Sequence, residues 1–288
     1  MTVLLFGTGG QIGWHLARLL PELGETRALA HADLDLADLE AVRSAVRDAR
    51  PRIVVNAAAY TDVDRAESDS ARAHAVNAAA PGVMAEEARG LGALLVHYST
   101  AFVFDGAADR PYLESDPPNP VNEYGRSKLA GEDAILASGA EHLIFRTNWV
   151  YDARRRNFVT TLLSLAEQRD ELRVVDDQVG APTWALAIAR ATVSALANRG
   201  ADRSGTYNLT ATGSVTRAAF ARRLFERMTA RRARPAPRIV PVPSAEFPAP
   251  AARPANSVLD TRRFSADFGV ALHDWDSDLA AFVGAQNA

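Results

Sequence analysis

Apolar residues in this chain come in short unbroken runs separated by glycine, proline and charge. Val3-Leu4-Leu5-Phe6, Ile53-Val54-Val55, Leu94-Leu95-Val96 and Leu143-Ile144-Phe145 carry no polar interruption. Runs of that length, rich in β-branched residues, read as strands buried on both faces, as parallel sheets require. Between them the period changes. Ile12, Leu16, Leu19 and Leu20 share one helical face, stopped by Pro21 and Gly24. Leu39 to Ala49 reads as a helix, and Pro81 opens another through Met84, Ala88 and Leu91, because a first turn tolerates proline. Strands alternating with helices as far as Arg146 predict an α/β fold with a doubly wound parallel sheet.

Past Arg146 the character shifts. Leu172 to Asp176 reads as a strand, Asp177 to Thr183 as an ordered turn, and 185–198 and 215–230 as alanine- and leucine-rich helices. Arg231 to Pro254, rich in proline, alanine and arginine, reads as a flexible linker or extended loop, expected to cover the site. Arg154-Arg155-Arg156 reads as a solvated surface run. The expected division is a dinucleotide-binding domain over 1–150, completed by parts of 170–215. A smaller, discontinuous C-terminal substrate-binding domain lies mainly in 151–288.

Composition narrows the chemistry. A length of 288 residues permits a sizeable core, and 48% hydrophobic with 23% charged residues is ordinary for a globular protein. A net charge of −3 gives no general attraction to nucleic acid or to an anionic membrane. The chain has no cysteine, so disulfides, thiolate metal sites and cysteine nucleophiles are excluded. Its six histidines are scattered, and no metal site is assigned. No apolar run approaches the roughly 18 residues of a membrane span, and no signal peptide is evident, so a cytoplasmic protein is expected.

The first run ends in Gly7-Thr8-Gly9-Gly10-Gln11-Ile12-Gly13 and opens directly into a helix. A strand, a glycine turn and a helix bring backbone N–H groups against a pyrophosphate, at the helix end that favours anions. This is the start of a Rossmann-type unit. No G-K-[ST] follows, which disfavours a triphosphate loop. An acidic residue closing the second strand is missing around Arg27 to His31, and Asp33 and Asp35 come a little late. An arginine or histidine here could meet a 2′-phosphate instead, so NADH and NADPH both stay open. Ala57-Ala58-Ala59, after the third run, suit a backbone pressed against a flat ligand.

Of the 32 lysines and arginines only Lys128 is a lysine, and it falls four residues after Tyr124. On a helix that spacing stacks amine and phenol on one face. A cation there is expected to lower the phenol's pKa. Ser99-Thr100 arrives at the C-terminal end of the Leu94 strand, the edge where open parallel sheets bind ligands. Tyr124 would then protonate a developing alkoxide, Thr100 would donate a hydrogen bond to it, and Lys128 would hold a cofactor ribose.

These segments resemble the extended short-chain dehydrogenase/reductases, and within them the dTDP-4-dehydrorhamnose reductase family. The similarity runs from Val3 to about Phe264. It is carried by the glycine turn, Asn56 to Thr61, Val63 to Glu67, Ser99-Thr100, Val103 to Gly106, Tyr124 to Lys128, Arg146 to Tyr151, Asp176 to Thr183 and Arg253 to Asp260. It implies reduction of the C4 ketone of dTDP-4-dehydro-L-rhamnose by NADPH or NADH, giving dTDP-L-rhamnose. Catalysis is implied for Thr100, Tyr124 and Lys128. Cofactor contact is implied for Gly7, Gly10, Gln11, Ile12, Asp35, Leu36, Ala57, Ala58, Ala59, Tyr124 and Lys128. Sugar contact is implied for Val63, Thr100, Tyr124 and Trp149. The partner implied is a dTDP-linked 4-keto-6-deoxy sugar, and the resemblance admits a homodimer.

The chain departs from the family at three places. Ala101 and Phe102 stand where an Asp-Tyr pair usually contacts the sugar, Asp62 replaces an alanine and is a candidate compensation, and His15 replaces the glutamate of a dimer-bridging magnesium site. The other readings are a nucleotide-sugar epimerase with tightly bound NAD, and a non-catalytic regulatory subunit of the same fold. A dehydratase would need an acid/base pair where Ala101 and Phe102 stand.

Overall fold

The computed structural model of the chain describes residues 2–198, 203–229 and 234–286. The apolar runs become β1 (Thr2–Phe6), β3 (Ile53–Asn56), β4 (Leu94–Thr100) and β5 (His142–Thr147), with the polar β2 (Glu25–Leu29) beside β1. Together with the strand Gly205–Asn208 they form a six-stranded sheet in the order Gly205–Asn208, β5, β4, β3, β1, β2. Every pairing in it is parallel. β2 is the edge and is largely exposed, so it lacks the apolar run that marks its neighbours.

Side-chain alternation divides each run between two cores. Val3 and Leu5 pack with Leu16, Leu20 and Ile188 on one face; Leu4 and Phe6 pack with Val42, Val46 and Met84 on the other. The helices of the first half are α1 (Gln11–Leu19), α2 (Leu39–Ala49), two short ones, α3 (Val63–Ala66) and α4 (Ser70–His74), then α5 (Ala80–Leu91) and α6 (Glu123–Ser138). From β1 the chain turns to one side for β2 and to the other for β3. The crevice of a doubly wound sheet opens at that reversal, beyond the ends of β1 and β3. No helix among the described residues is long and apolar enough to cross a membrane.

A third core gathers Tyr151, Leu172, Trp184, Phe220, Phe225 and Phe282 away from the sheet. Here two expectations need correction. Within Arg231 to Pro254, residues 231–233 lie outside the described residues, but Arg238–Val242 is a strand pairing in parallel with Glu171–Val175. Ile239, Val240 and Val242 supply the β-branched side chains, and a two-stranded edge tolerates the missing N–H of Pro241. The flexible-linker reading therefore fails for this part. The helix expected from 215 starts at Arg217, because Val215-Thr216 pairs antiparallel with Val179-Gly180.

Candidate active site

A cavity of about 970 Å³ opens at the sheet reversal. Gly7, Gly10, Gln11, Ile12, Asp35, Leu36, Ala57, Ala58, Ala59, Val63, Thr100, Tyr124, Lys128 and Trp149 all line it. Segments far apart in the chain thus converge as the motifs require.

The glycine turn is built for close approach. Gly7 adopts φ +91, a conformation costly for any side chain, and a Cβ on Gly13 would sit 2.1 Å from the Gly7 carbonyl oxygen. α1 begins after Gly10 with no side-chain cap. Its first N–H groups are left for a ligand, and the positive helix end favours an anion there. Ser99, which also lines the cavity, has a buried hydroxyl with no protein partner. An uncapped glycine-rich helix start and an orphaned hydroxyl in one cavity fit a dinucleotide. Asp35 is held by the Ala37 N–H (3.0 Å) and by Arg72 (2.7 Å), which together keep its carboxyl below the usual range. Arg27 is exposed on β2 and does not line the cavity, whereas His31 does.

α6 positions Tyr124 and Lys128. Asn122 caps it by accepting from the Gly125 N–H (2.7 Å), which places Tyr124 in the first turn and Lys128 one turn later. Tyr124 meets Phe102 edge to face at 6.0 Å. Burial pushes the Tyr124 phenol above its ordinary pKa, and the Thr100 hydroxyl bonded to it pulls the other way. The expected lowering by Lys128 is thus not what the structure gives. The physical reason lies in the lysine itself.

Lys128 is 1% exposed. Burial brings its pKa down to about 7, with Glu132 opposing. The hydrogen bonds around it point the same way. The Ala58 N–H donates to Asn56 Oδ1 (3.1 Å), so Asn56 Nδ2 is the donor towards His97 Nδ1 (3.1 Å). His97 then carries its proton on Nε2, which faces Lys128 Nζ at 2.9 Å. An amine that accepts that proton needs a lone pair and so must be neutral. Lys128 Nζ also donates to the Tyr98 carbonyl (2.7 Å), which leaves one N–H for a ligand. Burial holds His97 well below its usual pKa, consistent with a neutral ring.

Trp149 adopts φ +40, and its ring lies against Gly180, where a Cβ would come within 2.7 Å of the indole. The neighbouring Asn148 side chain is pinned to the Ser257 carbonyl (2.7 Å) and hydroxyl (2.8 Å). Of the departures, Phe102 lines the cavity and Ala101 packs with Val103, Phe104 and Leu259. Asp62 does not line the cavity; it caps α3 through the Arg65 N–H (3.1 Å). His15 is buried against Asp152 at 3.0 Å. No described residue of 234–254 lines the cavity.

The three arginines of the Arg154–Arg156 run lie nearer the site than their sequence suggests. Arg154 stacks on Trp14 at 3.4 Å, and Arg155 donates from Nε to the Gly9 carbonyl (2.5 Å). Arg155 and Arg156 line the cavity. The run is solvent-exposed, as its composition suggests, and it also lies across the glycine turn. Its only signal was three charges close after a motif strand. Replacing Arg155 with Ala is expected to weaken NADH and NADPH by the same factor, about fivefold, through lost charge at the pyrophosphate. Titration of each nucleotide by its fluorescence checks this, and an effect confined to NADPH would reassign the side chain to the 2′-phosphate.

Fold and cavity define an NAD(P)H-dependent oxidoreductase of the extended short-chain dehydrogenase/reductase type. The family described as the RmlD substrate binding domain matches residues 1–287, and the chain belongs to it. It is 48% identical over 287 residues to a dTDP-4-dehydrorhamnose reductase from Burkholderia thailandensis, covering 96% of this chain and 95% of that protein. It is 44% identical to the enzyme of the same name from Escherichia coli, covering 96% and 94%. Among solved structures, a dTDP-4-dehydrorhamnose reductase from Bacillus anthracis in complex with NADP superposes with a TM-score of 0.91 at 32% identity, over 98% of both chains.

Proposed function

We propose that this protein reduces the C4 ketone of dTDP-4-dehydro-L-rhamnose to give dTDP-L-rhamnose. The observation that carries the reading is one cavity holding an uncapped glycine turn, a protonated phenol and a lysine amine. Bound NADPH or NADH supplies the hydride. Tyr124 then gives its proton to the C4 oxygen, and a pKa above the ordinary value keeps that proton in place at neutral pH. A reductase needs its tyrosine as an acid, so burial serves this direction of reaction. Thr100, beside the phenol, donates a hydrogen bond to the oxygen as charge develops. Lys128 offers its remaining N–H to the cofactor ribose, while Val63 and Trp149 contact the sugar. We place the enzyme in the cytoplasm, and carry a homodimer over from the resemblance alone.

The test mixes purified protein, NADPH or NADH and enzymatically generated dTDP-4-keto-6-deoxy-L-hexulose, and follows the reduced cofactor's absorbance. Stoichiometric oxidation is expected. An isomerised sugar without cofactor loss would mean an epimerase, and no turnover of any 4-keto sugar nucleotide would leave the regulatory-subunit reading.

A further inference from the structure

The cavity's arginines differ in their partners. Arg155 and Arg156 belong to the run at the glycine turn. Arg72 is paired with Asp35 at 2.7 Å and Arg65 with Asp69 at 3.6 Å. Arg217 lines the same cavity but makes no ion pair with a carboxylate among the described residues. Its guanidinium lies 4.0 Å from the Trp149 ring centroid and 5.1 Å from that of Phe158, and Nε donates to Gln178 Oε1 at 2.9 Å. One of five N–H donors is thereby used, and the two terminal nitrogens keep the rest of the fork.

The surroundings add to the charge instead of neutralising it. Arg217 is the first residue of the 12-residue helix Arg217–Met228, whose first turn contains no acidic side chain. A cation at that end opposes the helix dipole. Burial, and after it the nearby charge of Arg253, lower the Arg217 pKa to about 10. Arg253 is itself paired with Asp64 at 2.7 Å. A guanidinium and a helix N-terminus therefore superpose positive potential where the cavity meets Trp149, while the charge of Arg253 is taken up by Asp64. Aromatic faces and one amide hold the fork in place but supply no negative charge.

We propose that Arg217 binds the diphosphate of the nucleotide-sugar substrate. The assignment rests on the reductase reading and adds a residue to it. A diphosphate offers the planar fork two oxygens at once, which a ketone or hydroxyl cannot. It also gives the open N–H groups acceptors and removes the uncompensated charge. The position bears on the departures at Ala101 and Phe102. Where two polar sugar contacts are missing, an anchor on the diphosphate keeps the substrate in place without them. Arg217 is thus a binding residue, remote from the proton transfer at Tyr124.

The test is calorimetric titration of wild type, Arg217→Ala and Arg217→Lys with dTDP, UDP and thymidine, each at saturating NADP⁺. Arg217→Ala is expected to lose about 10- to 100-fold in dTDP affinity, while thymidine and NADP⁺ bind as in wild type. Arg217→Lys, which keeps the charge but not the fork, is expected to fall between. Unchanged dTDP affinity in Arg217→Ala overturns the assignment. So does an equal loss for thymidine, which would make the residue mere packing for Trp149. If wild type binds UDP and not dTDP, the dTDP-sugar reading falls while the Arg217 assignment is judged on UDP by the same comparison.

Discussion

Replacing Tyr124 with Phe is expected to lower kcat for ketone reduction by about 10²- to 10⁴-fold, the range for losing a positioned general acid. Affinity for NADPH should stay within about twofold. The substitution preserves the ring that meets Phe102 edge to face at 6.0 Å, and deletes only the hydroxyl beside Thr100. It therefore isolates the proton from the packing. Stopped-flow oxidation of NADPH gives the rate, and quenching of cofactor fluorescence gives the affinity. A variant with more than a third of wild-type kcat would mean that the proton comes from elsewhere. Thr100 and the orphaned Ser99 hydroxyl would then be the next donors to test.

The sequence made Tyr124 and Lys128 legible because their relation is local. Four residues on one helix fix their relative placement, and a single lysine in an arginine-rich chain marks the position. The glycine turn was legible for the same reason: strand, turn and helix are contiguous. What governs Lys128 was not. His97 lies 31 residues away and Asn56 another 41, joined only when β3 and β4 pair in the sheet. No periodicity encodes the tautomer that an Ala58 N–H imposes through Asn56. The same holds for Arg217, which reaches Trp149 across 68 positions, and for Arg155, which reaches Gly9 across 146.

Composition misled where a partner decides the outcome. Arg238 to Val242 lies in a proline- and alanine-rich stretch, yet its β-branched residues form a strand because Glu171–Val175 is presented to them. The arginine triplet is exposed, as composition suggests, but composition does not show that it reaches the Trp14 ring and the Gly9 carbonyl. In both cases the missing information is long-range geometry.

Lys128→Met is expected to inactivate the enzyme and, more tellingly, to remove a pH dependence from its stability. In the cofactor-free protein Lys128 titrates near 7, against 10.5 for an ordinary lysine. Between those values the unfolded chain binds a proton that the folded chain has released, so stability rises with pH. Below about pH 7 both states are charged, and the full penalty of burying the ammonium is present. As pH climbs towards 10.5 that penalty is relieved, at no more than about 1.4 kcal/mol per unit. Methionine fills the space of the stem without the charge. The wild-type stability minus that of the variant should therefore grow by about 2 to 3 kcal/mol between pH 7 and 9. The neighbours do not blur this window. Glu132 is paired with Arg146 at 2.6 Å, and His97 titrates well below 6.5. Urea unfolding of both proteins at pH 6, 7, 8 and 9 measures the difference, in which all other groups cancel. Parallel curves would mean that Lys128 is charged in the folded protein, and the His97 tautomer deduced from Asn56 would be wrong with it. A diverging pair would show the lysine held neutral until a ligand arrives. The cofactor would then have to supply the charge or the hydrogen bond that makes ammonium the favoured form, and cofactor binding near pH 8 should take up a proton.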